Sequence, residues 1–364
     1  PEGDYFTSPK AHPAFGACIA LFLLRAWHLL GKPSPFWVVE MGAGDGQLGR
    51  DIRGYLDSLD MRHRPVVRYV SLDRALSRSF PGVTDSESER LLASGIPLRN
   101  VVGCFLSNEL LDAFPVHRFQ AKGGKAQEIY VTLDESSGFA ETLDRPSSPS
   151  LEAEADAIAS RLPDGARWEI NPSVGSWAGQ VSSALDRGFV LTIDYGDLAP
   201  NLHRPERAGG TLATYYRHVP AGSPYQRIGR QDITAHVDFT RVASEGDRHG
   251  LRTLGMTTQR DFLEQFGLRE FIERARTAAM PAPERQANLM AMRELAKPGG
   301  LGDFKVLVQE KESGVATIET VFAPGPPPGG PLPLLSPEHM QLLSGRYPQA
   351  DWQPETFGLA GEDT

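Results

Sequence analysis

The residues best suited to hold a reactive ligand are an acid and three alternating glycines near residue 40. Glu40 is followed by Gly42, Gly44 and Gly46. An apolar run over 36–39 precedes the glycines, and apolar residues recur at helical spacing behind them. The pattern predicts a strand, a tight turn and a helix, which is the first unit of a doubly wound α/β domain. Glycines let a ligand approach the backbone closely, and the helix N-terminus offers it free N–H groups.

The spacing of the glycines helps to choose between cofactors. A dinucleotide fingerprint has the form G-x-G-x-x-G, whereas the position of its third glycine is Gln47 here. An acid-x-G-x-G-x-G stretch resembles motif I of the methyltransferases that use S-adenosylmethionine (SAM). SAM has a cationic amino acid end, so a carboxylate near the turn suits it electrostatically. The alternative is a glycine turn that holds no ligand, because short motifs also match by chance.

Polar side chains also follow the next two predicted strands. Asp73 ends the second strand, where an acid can hold ribose hydroxyls, although it could equally cap a following helix. Asn108, Glu109 and Asp112 follow the third strand. The carboxyl ends of strands line the ligand crevice of an open α/β sheet, so we expect chemistry there. Helix capping by Asn108 and a solvated Glu109 are the structural alternative.

Three further candidates lie later in the chain. Glu169 and Asp194 each fall at the end of a predicted strand. His236 could act as a base for a hydroxyl or carboxylate-type methyl acceptor. A hydrogen-bonded structural histidine is the alternative for His236.

Composition limits the class of protein. With 364 residues, 40% hydrophobic, the chain can form one large α/β domain or two small ones. A net charge of −9 argues against a nucleic-acid binder. Cys18 and Cys104 lie far apart, so we expect reduced buried thiols and no metal site. The expected location is the cytoplasm, or the mitochondrial matrix if the protein is eukaryotic. The longest apolar run, 14–24, is too short for a membrane span, and no signal peptide is visible. The sequence begins at Pro1, so the presence of a targeting segment upstream of it stays open.

Periodicity and turn residues predict the other elements. Helices are predicted over 13–30, 151–162, 174–185, 258–266 and 268–279. Strands are predicted over 66–72, 101–106, 166–170, 188–194 and 304–309. A hairpin is predicted over 116–133 and a polar loop over 136–150. Residues 197–250 are expected to be loop-rich, with a short edge strand over 231–239.

Several stretches taken together resemble the MidA-type SAM-dependent methyltransferases, a family that includes an arginine-methylating assembly factor of mitochondrial complex I. The matching stretches are 3–9, 40–46, 108–116, 194–196, 210–212, 216–218, 231–239, 258–263 and 304–307. The resemblance implies a class I (Rossmann-like) α/β methyltransferase fold. Its mostly parallel seven-stranded sheet would have helices on both faces and an antiparallel last strand.

The resemblance also implies a domain organisation. The methyltransferase domain would cover 1–322, with insertions at about 116–165 and 197–250 that form a cap over the cofactor. Composition, and not the resemblance, predicts that residues 323–364 form a Pro/Gly-rich linker and a C-terminal appendage, a segment that matches no part of the family.

Residue roles follow from the same resemblance. Glu40 and the three glycines would hold the methionine part of SAM, and Asp73 the ribose. Thr7 and Ser8 would lie near the cofactor, and Asn108 and Glu109 would face the methyl group.

Methyl transfer is an in-line displacement, so the protein must align the acceptor and exclude water. An arginine acceptor suits carboxylates through charge-assisted hydrogen bonds. Glu109 and Glu169 are the candidate clamp, with Asp112 and Asp194 in reserve.

Three functions stay open. The first is arginine methylation of a protein partner, such as a respiratory complex I subunit. The second is O- or N-methylation of a small molecule, and the third is a non-catalytic SAM-binding assembly factor. A homodimer also stays open as an oligomeric state.

Overall fold

The computed structural model describes residues 7–60, 64–74, 88–134, 138–216, 219–323 and 330–339. These residues form two compact units. The described parts of 6–108, 180–193 and 250–364 form one, here called the parallel-sheet unit. Those of 109–179 and 194–249 form the other, here called the antiparallel unit.

The strands are, in chain order, β1 Phe36–Met41, β2 Val67–Asp73, β3 Ser88–Leu92, β4 Val101–Asn108, β5 His117–Lys122, β6 Lys125–Asp134, β7 Gly138–Asp144, β8 Arg167–Ile170, β9 Leu185–Asp194, β10 Gly196–Asp197, β11 Ala213–Tyr216, β12 Val219–Ala221, β13 Asp232–Thr234, β14 Val237–Asp238, β15 Arg252–Thr258 and β16 Lys305–Lys311. The α-helices are α1 Ser8–Ala11, α2 Ala14–Leu29, α3 Gln47–Asp57, α4 Pro149–Ala159, α5 Ser173–Ala184, α6 Ala199–Leu202, α7 Phe239–Arg248, α8 Gln259–Gln265, α9 Leu268–Thr277, α10 Ala282–Leu295 and α11 Ile318–Val321.

The parallel-sheet unit is organised around a seven-stranded sheet in the order β15-β16-β9-β4-β1-β2-β3. Strands β9, β4, β1, β2 and β3 pair in parallel. The last strand, β16, pairs antiparallel with β15. The chain runs outward from β1 in both directions, which creates a topological switch point between β1 and β4. This sheet confirms the predicted α/β fold.

The centre of the sheet is buried because its strands are continuous apolar runs. Phe36, Val38 and Val39 of β1 are fully buried, as expected for a parallel strand with both faces covered. Helix α2 adds Phe22, whose ring centroid lies 5.7 Å from that of Phe262 in α8. This core fixes the carboxyl ends of β1, β2 and β4 at one edge of the sheet.

The antiparallel unit contains a four-stranded sheet in the order β7-β6-β5-β8. Gly123 and Gly124 turn the chain between β5 and β6 with φ of 60° and 72°, which confirms the predicted hairpin. The Phe119 and Trp168 rings stack with their centroids 5.8 Å apart, and α4 packs against them.

Two predictions for this unit are wrong in part. Strand β7 lies inside the predicted polar loop 136–150, because it pairs with β6 along its whole length and sets Phe139 opposite Leu133. Helix α7 lies inside the region expected to be loop-rich. The Asp238 side chain caps α7 by accepting hydrogen bonds from the N–H groups of Thr240 and Arg241.

Several elements of the parallel-sheet unit were not predicted, among them β3, β15 and α10. Strand β15 forms through its antiparallel pairing with β16, and its own sequence has weak alternation. Helix α10 begins directly after Pro281 and buries Leu289, Met292 and Leu295.

Some predictions fall outside the described residues, namely the stretches 3–6, 217–218 and 340–364. The proposed division of the chain at residue 322 stays a prediction. In the described part of the chain, no helix is both long enough and apolar enough to cross a membrane.

Candidate functional site

The glycine turn joins β1 to α3 with a left-handed backbone. Gly42, Gly44 and Gly46 have φ of 71°, 53° and 75°, a region that favours glycine. Among the described residues, no atom lies within 4 Å of the position that a Cβ on Gly44 would occupy. The turn therefore borders open space at the switch point, where a ligand can approach the backbone.

Asp73, at the end of β2, contacts this turn directly. Its Oδ2 accepts a 2.9 Å hydrogen bond from the N–H of Gly44. The Arg90 guanidinium donates to the Gly44 carbonyl at 3.0 Å. The acid of the second strand thus supports the turn of the first, and its role in ribose binding stays a prediction.

Glu40, the last acid before the turn, is buried. Its carboxylate accepts a 2.8 Å hydrogen bond from the Tyr69 hydroxyl on β2. Burial raises the pKa of Glu40 to about 7, although the Tyr69 hydrogen bond acts in the opposite direction. Gly49 makes room for this pair, because a Cβ there would lie 2.9 Å from the Tyr69 ring and 3.1 Å from the carboxylate. A cation close to this carboxyl group would favour its ionised form.

Thr7 and Ser8 lie at the start of α1. The Thr7 carbonyl accepts from the N–H groups of Lys10 and Ala11. The buried Ser8 hydroxyl donates a 3.0 Å hydrogen bond to the Gln259 side chain in α8. Ser8 thereby fixes α1 against the core, and cofactor contacts by Thr7 and Ser8 stay predictions.

Asn108 ends β4 in the parallel-sheet unit, and Glu109 is the next residue in the chain. Glu109 has a φ of 50°, which is rare for a residue other than glycine. A strained backbone at this position is a recurrent feature of functional sites.

The loop after Glu109 is organised by Asp194. Oδ2 of this fully buried carboxylate accepts hydrogen bonds from the N–H groups of Leu110, Leu111 and Asp112 at 3.2, 3.0 and 3.4 Å. Burial raises the pKa of Asp194, and the neighbouring carboxyls of Asp112 and Glu109 raise it further. These three carboxyl groups therefore lie close enough to influence each other.

Asp112 is the second buried acid of this group, with an exposed fraction of 5%. Its Oδ2 accepts a short hydrogen bond from the Tyr195 hydroxyl. Burial raises the pKa of Asp112 to about 6, against the effect of the Tyr195 hydrogen bond. Sequence reasoning did not single out Tyr195 or Tyr69, although Tyr195 directly follows an acid at a strand end.

Glu169 and His236 belong to a different group in the same unit. Glu169 Oε2 accepts from both the N–H and the hydroxyl of Thr211, at 2.7 and 2.8 Å. Thr211 Oγ1 in turn accepts from the N–H of His236 at 3.1 Å. The described contacts thus link Glu169 to His236, whereas Glu109 interacts with Asp194.

The imidazole of His236 is partly buried. Burial lowers the pKa of His236, and the nearby Arg207 lowers it further. Nδ1 of His236 lies 3.4 Å from the Arg207 guanidinium, which can only donate. These are the contacts of a structural histidine, and a role as a base stays a prediction.

Residues 18–257, more than half of the chain, match the family described as "putative S-adenosyl-L-methionine-dependent methyltransferase". The chain belongs to this family. The match confirms the resemblance seen in the motifs, and SAM is the cofactor of this methyltransferase.

Curated relatives of the methyltransferase are named as arginine methyltransferases. The mitochondrial protein arginine methyltransferase NDUFAF7 homolog of Drosophila melanogaster is 28% identical over 309 residues, 77% of this chain and 68% of that protein. The mitochondrial NDUFAF7 of Rattus norvegicus is 27% identical over 294 residues, 73% of this chain and 65% of that protein. The chain thus spans about two thirds of the length of these relatives. Their names do not support a cytoplasmic location, which stays a prediction.

A solved structure similar to the methyltransferase contains the product of the cofactor. It is a protein from Burkholderia thailandensis bound to S-adenosyl-homocysteine (SAH), with a TM-score of 0.76 and 26% identity. The similarity covers 89% of this chain and 82% of that one. The open glycine turn and buried Glu40 fit such a ligand.

Proposed function

We propose that this methyltransferase transfers a methyl group from SAM to an arginine side chain of a protein partner. The observation that carries the proposal is the group of buried acids within the antiparallel unit, where Asp194 accepts hydrogen bonds from the N–H groups of Leu111 and Asp112. Buried acids favour a cationic and planar acceptor, which they can hold through paired hydrogen bonds. The names of the curated relatives support the same acceptor.

The cofactor side of the proposal rests on the parallel-sheet unit. When bound, SAM supplies a methyl group on a positively charged sulfur. In the proposal, Glu40 and the glycine turn hold its methionine part, and Asp73 holds the ribose. Thr7, Ser8 and Asn108 complete the cofactor contacts. The positively charged amino group of the ligand would favour the ionised form of Glu40, whose pKa burial raises to about 7.

The acceptor side rests on the acids of the antiparallel unit. In the proposal, Glu109 and Asp112 pair with the guanidinium and fix its orientation, as near-attack alignment requires. The guanidinium loses a proton when its nitrogen gains a methyl group. The carboxylate of Asp112 can accept that proton, because burial raises its pKa to about 6. Glu169 remains a candidate for the carboxylate clamp, and Thr211 links it by hydrogen bonds to His236.

Isothermal titration together with radiolabelled methyl transfer tests the proposal. The acceptors are arrayed peptides with a central arginine, each matched by a lysine peptide. We expect label on arginine peptides only, recovered as methylarginine after acid hydrolysis. Glu109→Gln is expected to leave SAH binding within about twofold and to reduce transfer at least about a hundredfold. A strong loss of SAH binding would instead make Glu109 a cofactor residue.

A substitution at His236 distinguishes a hydroxyl acceptor from an arginine acceptor. A base acting on a hydroxyl contributes about 100-fold or more, so its loss would be severe for an O-acceptor. For an arginine acceptor, we expect His236→Gln to change kcat by less than about tenfold. Label confined to small molecules would overturn the protein substrate, and SAH binding without any transfer would favour an assembly factor. A respiratory complex subunit as the partner stays a prediction.

A further inference from the structure

A cavity of about 320 Å³ lies within the antiparallel unit. Its size is at the lower end of the range of ligand pockets in proteins. Asp112 and Arg118 are the charged residues of its lining, and most of the remaining wall is apolar. The wall includes Phe114, Leu212 and Tyr225.

Asp112 brings an acceptor for hydrogen bonds to this cavity. The Tyr195 hydroxyl holds Oδ2, and within the described residues Oδ1 is buried without a hydrogen-bond partner. A buried carboxylate oxygen without a donor is costly, so a cationic ligand would remove an existing penalty. The Tyr195 hydrogen bond also fixes the carboxylate in one orientation.

Arg118 adds a hydrogen-bond donor to the wall of the cavity. Its terminal nitrogen donates to Glu141 at 2.5 Å and to the Tyr225 hydroxyl at 3.2 Å, so the Arg118 charge is balanced. Its Nε is buried and has no hydrogen-bond partner among the described residues. The cavity wall therefore combines one acidic and one basic side chain.

The rim of the cavity is apolar and accessible. Ile233 and Val131 line the cavity and are 46% and 53% exposed. Large exposed apolar side chains beside a pocket are typical of sites that receive a protein segment. The aliphatic stem of a long cationic side chain suits such a wall.

We propose that this cavity receives the methyl-accepting arginine residue of the protein partner, with the guanidinium at Asp112 and a peptide carbonyl at Arg118. The assignment rests on the proposed function. It identifies Asp112 as a binding group and Tyr195 as a positioning residue. The apolar rim holds the residues that flank the arginine.

Binding of blocked tripeptides tests this assignment without turnover. The probes are acetyl-Gly-Arg-Gly-amide and its citrulline counterpart, a neutral molecule of nearly the same shape, titrated in the presence of SAH. We expect the citrulline peptide to bind at least about tenfold more weakly, because it lacks the charge. Asp112→Asn should remove most of that preference.

Two further variants keep the test independent of folding. Ile233→Trp adds bulk at an exposed rim position and should weaken arginine peptide binding about tenfold or more. Glu206→Gln, an exposed acid of the same unit, should leave binding unchanged. Normal peptide binding by both Asp112→Asn and Ile233→Trp would overturn the assignment, even if arginine peptides are methylated. Binding that follows these expectations without methylation would instead refute the proposed function alone.

A second inference concerns the segment 330–339, which packs within the parallel-sheet unit. The N–H of Leu335 donates to the Asn288 side chain at 2.9 Å, and His339 is 3% exposed. His339 Nε2 lies 3.0 Å from Oδ2 of Asp51 in α3. Since a carboxylate only accepts, His339 donates here, while Nδ1 accepts from the Ser336 hydroxyl at 2.8 Å.

These contacts continue to the glycine turn. Gln47, the first residue of α3, donates to Oδ1 of Asp51 at 3.0 Å. The Arg50 guanidinium donates to the Gln47 side chain at 2.7 Å and to the Asp45 carbonyl within the turn at 2.8 Å. The side-chain nitrogen of Gln47 also lies 3.0 Å from Nε2 of His339. His339 is therefore in direct contact with the residue that follows Gly46.

We infer that His339 is a positioning residue that holds α3 and the glycine turn in the geometry that binds the cofactor. We expect His339→Ala to raise the Kd for SAH and the KM for SAM several-fold, with kcat unchanged. His339→Gln keeps a donor and should recover part of the affinity. His28→Ala, an exposed histidine of α2, is the matched control and should bind normally. A His339→Ala protein with a lower melting temperature but an unchanged Kd for SAH would overturn the inference.

Discussion

The N–H group of Gly44 donates a 2.9 Å hydrogen bond to Oδ2 of Asp73. This contact joins the turn after β1 to the last residue of β2. It means that Asp73 can affect cofactor binding both by direct contact and through the shape of the turn.

Two substitutions at Asp73 separate these effects. Asp73→Asn keeps an oxygen that can accept from Gly44, but it removes the charge that a ribose diol would meet. We expect its Kd for SAH to rise about tenfold, with little change in melting temperature. Asp73→Ala loses both contacts and should lower affinity and melting temperature together. Titration calorimetry and thermal unfolding provide the measurements, and normal affinity in Asp73→Asn would limit Asp73 to supporting the turn.

The glycine turn itself should not tolerate a side chain at Gly44. Valine at a φ of 53° is strained, and its side chain would enter the space left open for the ligand. We expect Gly44→Val to weaken SAH binding at least about a hundredfold by calorimetry. Gly54→Ala on α3 is the control, since no described atom lies within 4 Å of its Cβ position. Equal affinities in the two variants would show that the turn does not contact the cofactor.

The raised pKa of Glu40 predicts that the affinity for SAH depends on pH. A bound amino group stabilises the ionised carboxylate, but below the Glu40 pKa of about 7 a proton must first leave. The affinity for SAH should therefore fall as the pH is lowered from about 7.5 to 5.5, approaching about tenfold per pH unit. Glu40→Gln should bind more weakly and show a flat profile over that range. A wild-type profile that is already flat would mean that Glu40 does not pair with the ligand.

The hydrogen bonds that Asp194 accepts predict that its removal lowers the stability of the protein. Asp194→Ala leaves the buried N–H group of Leu111 and the partly buried N–H group of Leu110 without their acceptor, which costs about 2–3 kcal/mol of the free energy of unfolding. Hydrogen exchange should accelerate at those amides. Asp186→Ala, an exposed acid on the same strand β9, should change stability by less than about 0.5 kcal/mol. Denaturant unfolding measures both, and equal stabilities would contradict the role given to Asp194.

Local sequence patterns determined the parts of the fold that depend on near neighbours. The apolar run 36–39 and the three glycines predicted the strand and the turn, because each requires only period and backbone freedom. The cofactor was predicted from the resemblance of this stretch to motif I of the SAM methyltransferases. The hairpin around Gly123 followed for the same reason. Strand β7 did not, because its mixed sequence becomes a strand only by pairing with β6.

The contacts that define the candidate site were decided by tertiary structure. Asp194 and Asp112 are 82 residues apart, and Glu40 and Tyr69 are 29 apart. Strand order brings such pairs together, and no local pattern encodes strand order. The sequence therefore determined that a chain of this kind binds SAM and which acids end its strands. The fold decided which carboxylates are buried together, because burial and hydrogen bonding depend on neighbours that the linear sequence does not identify.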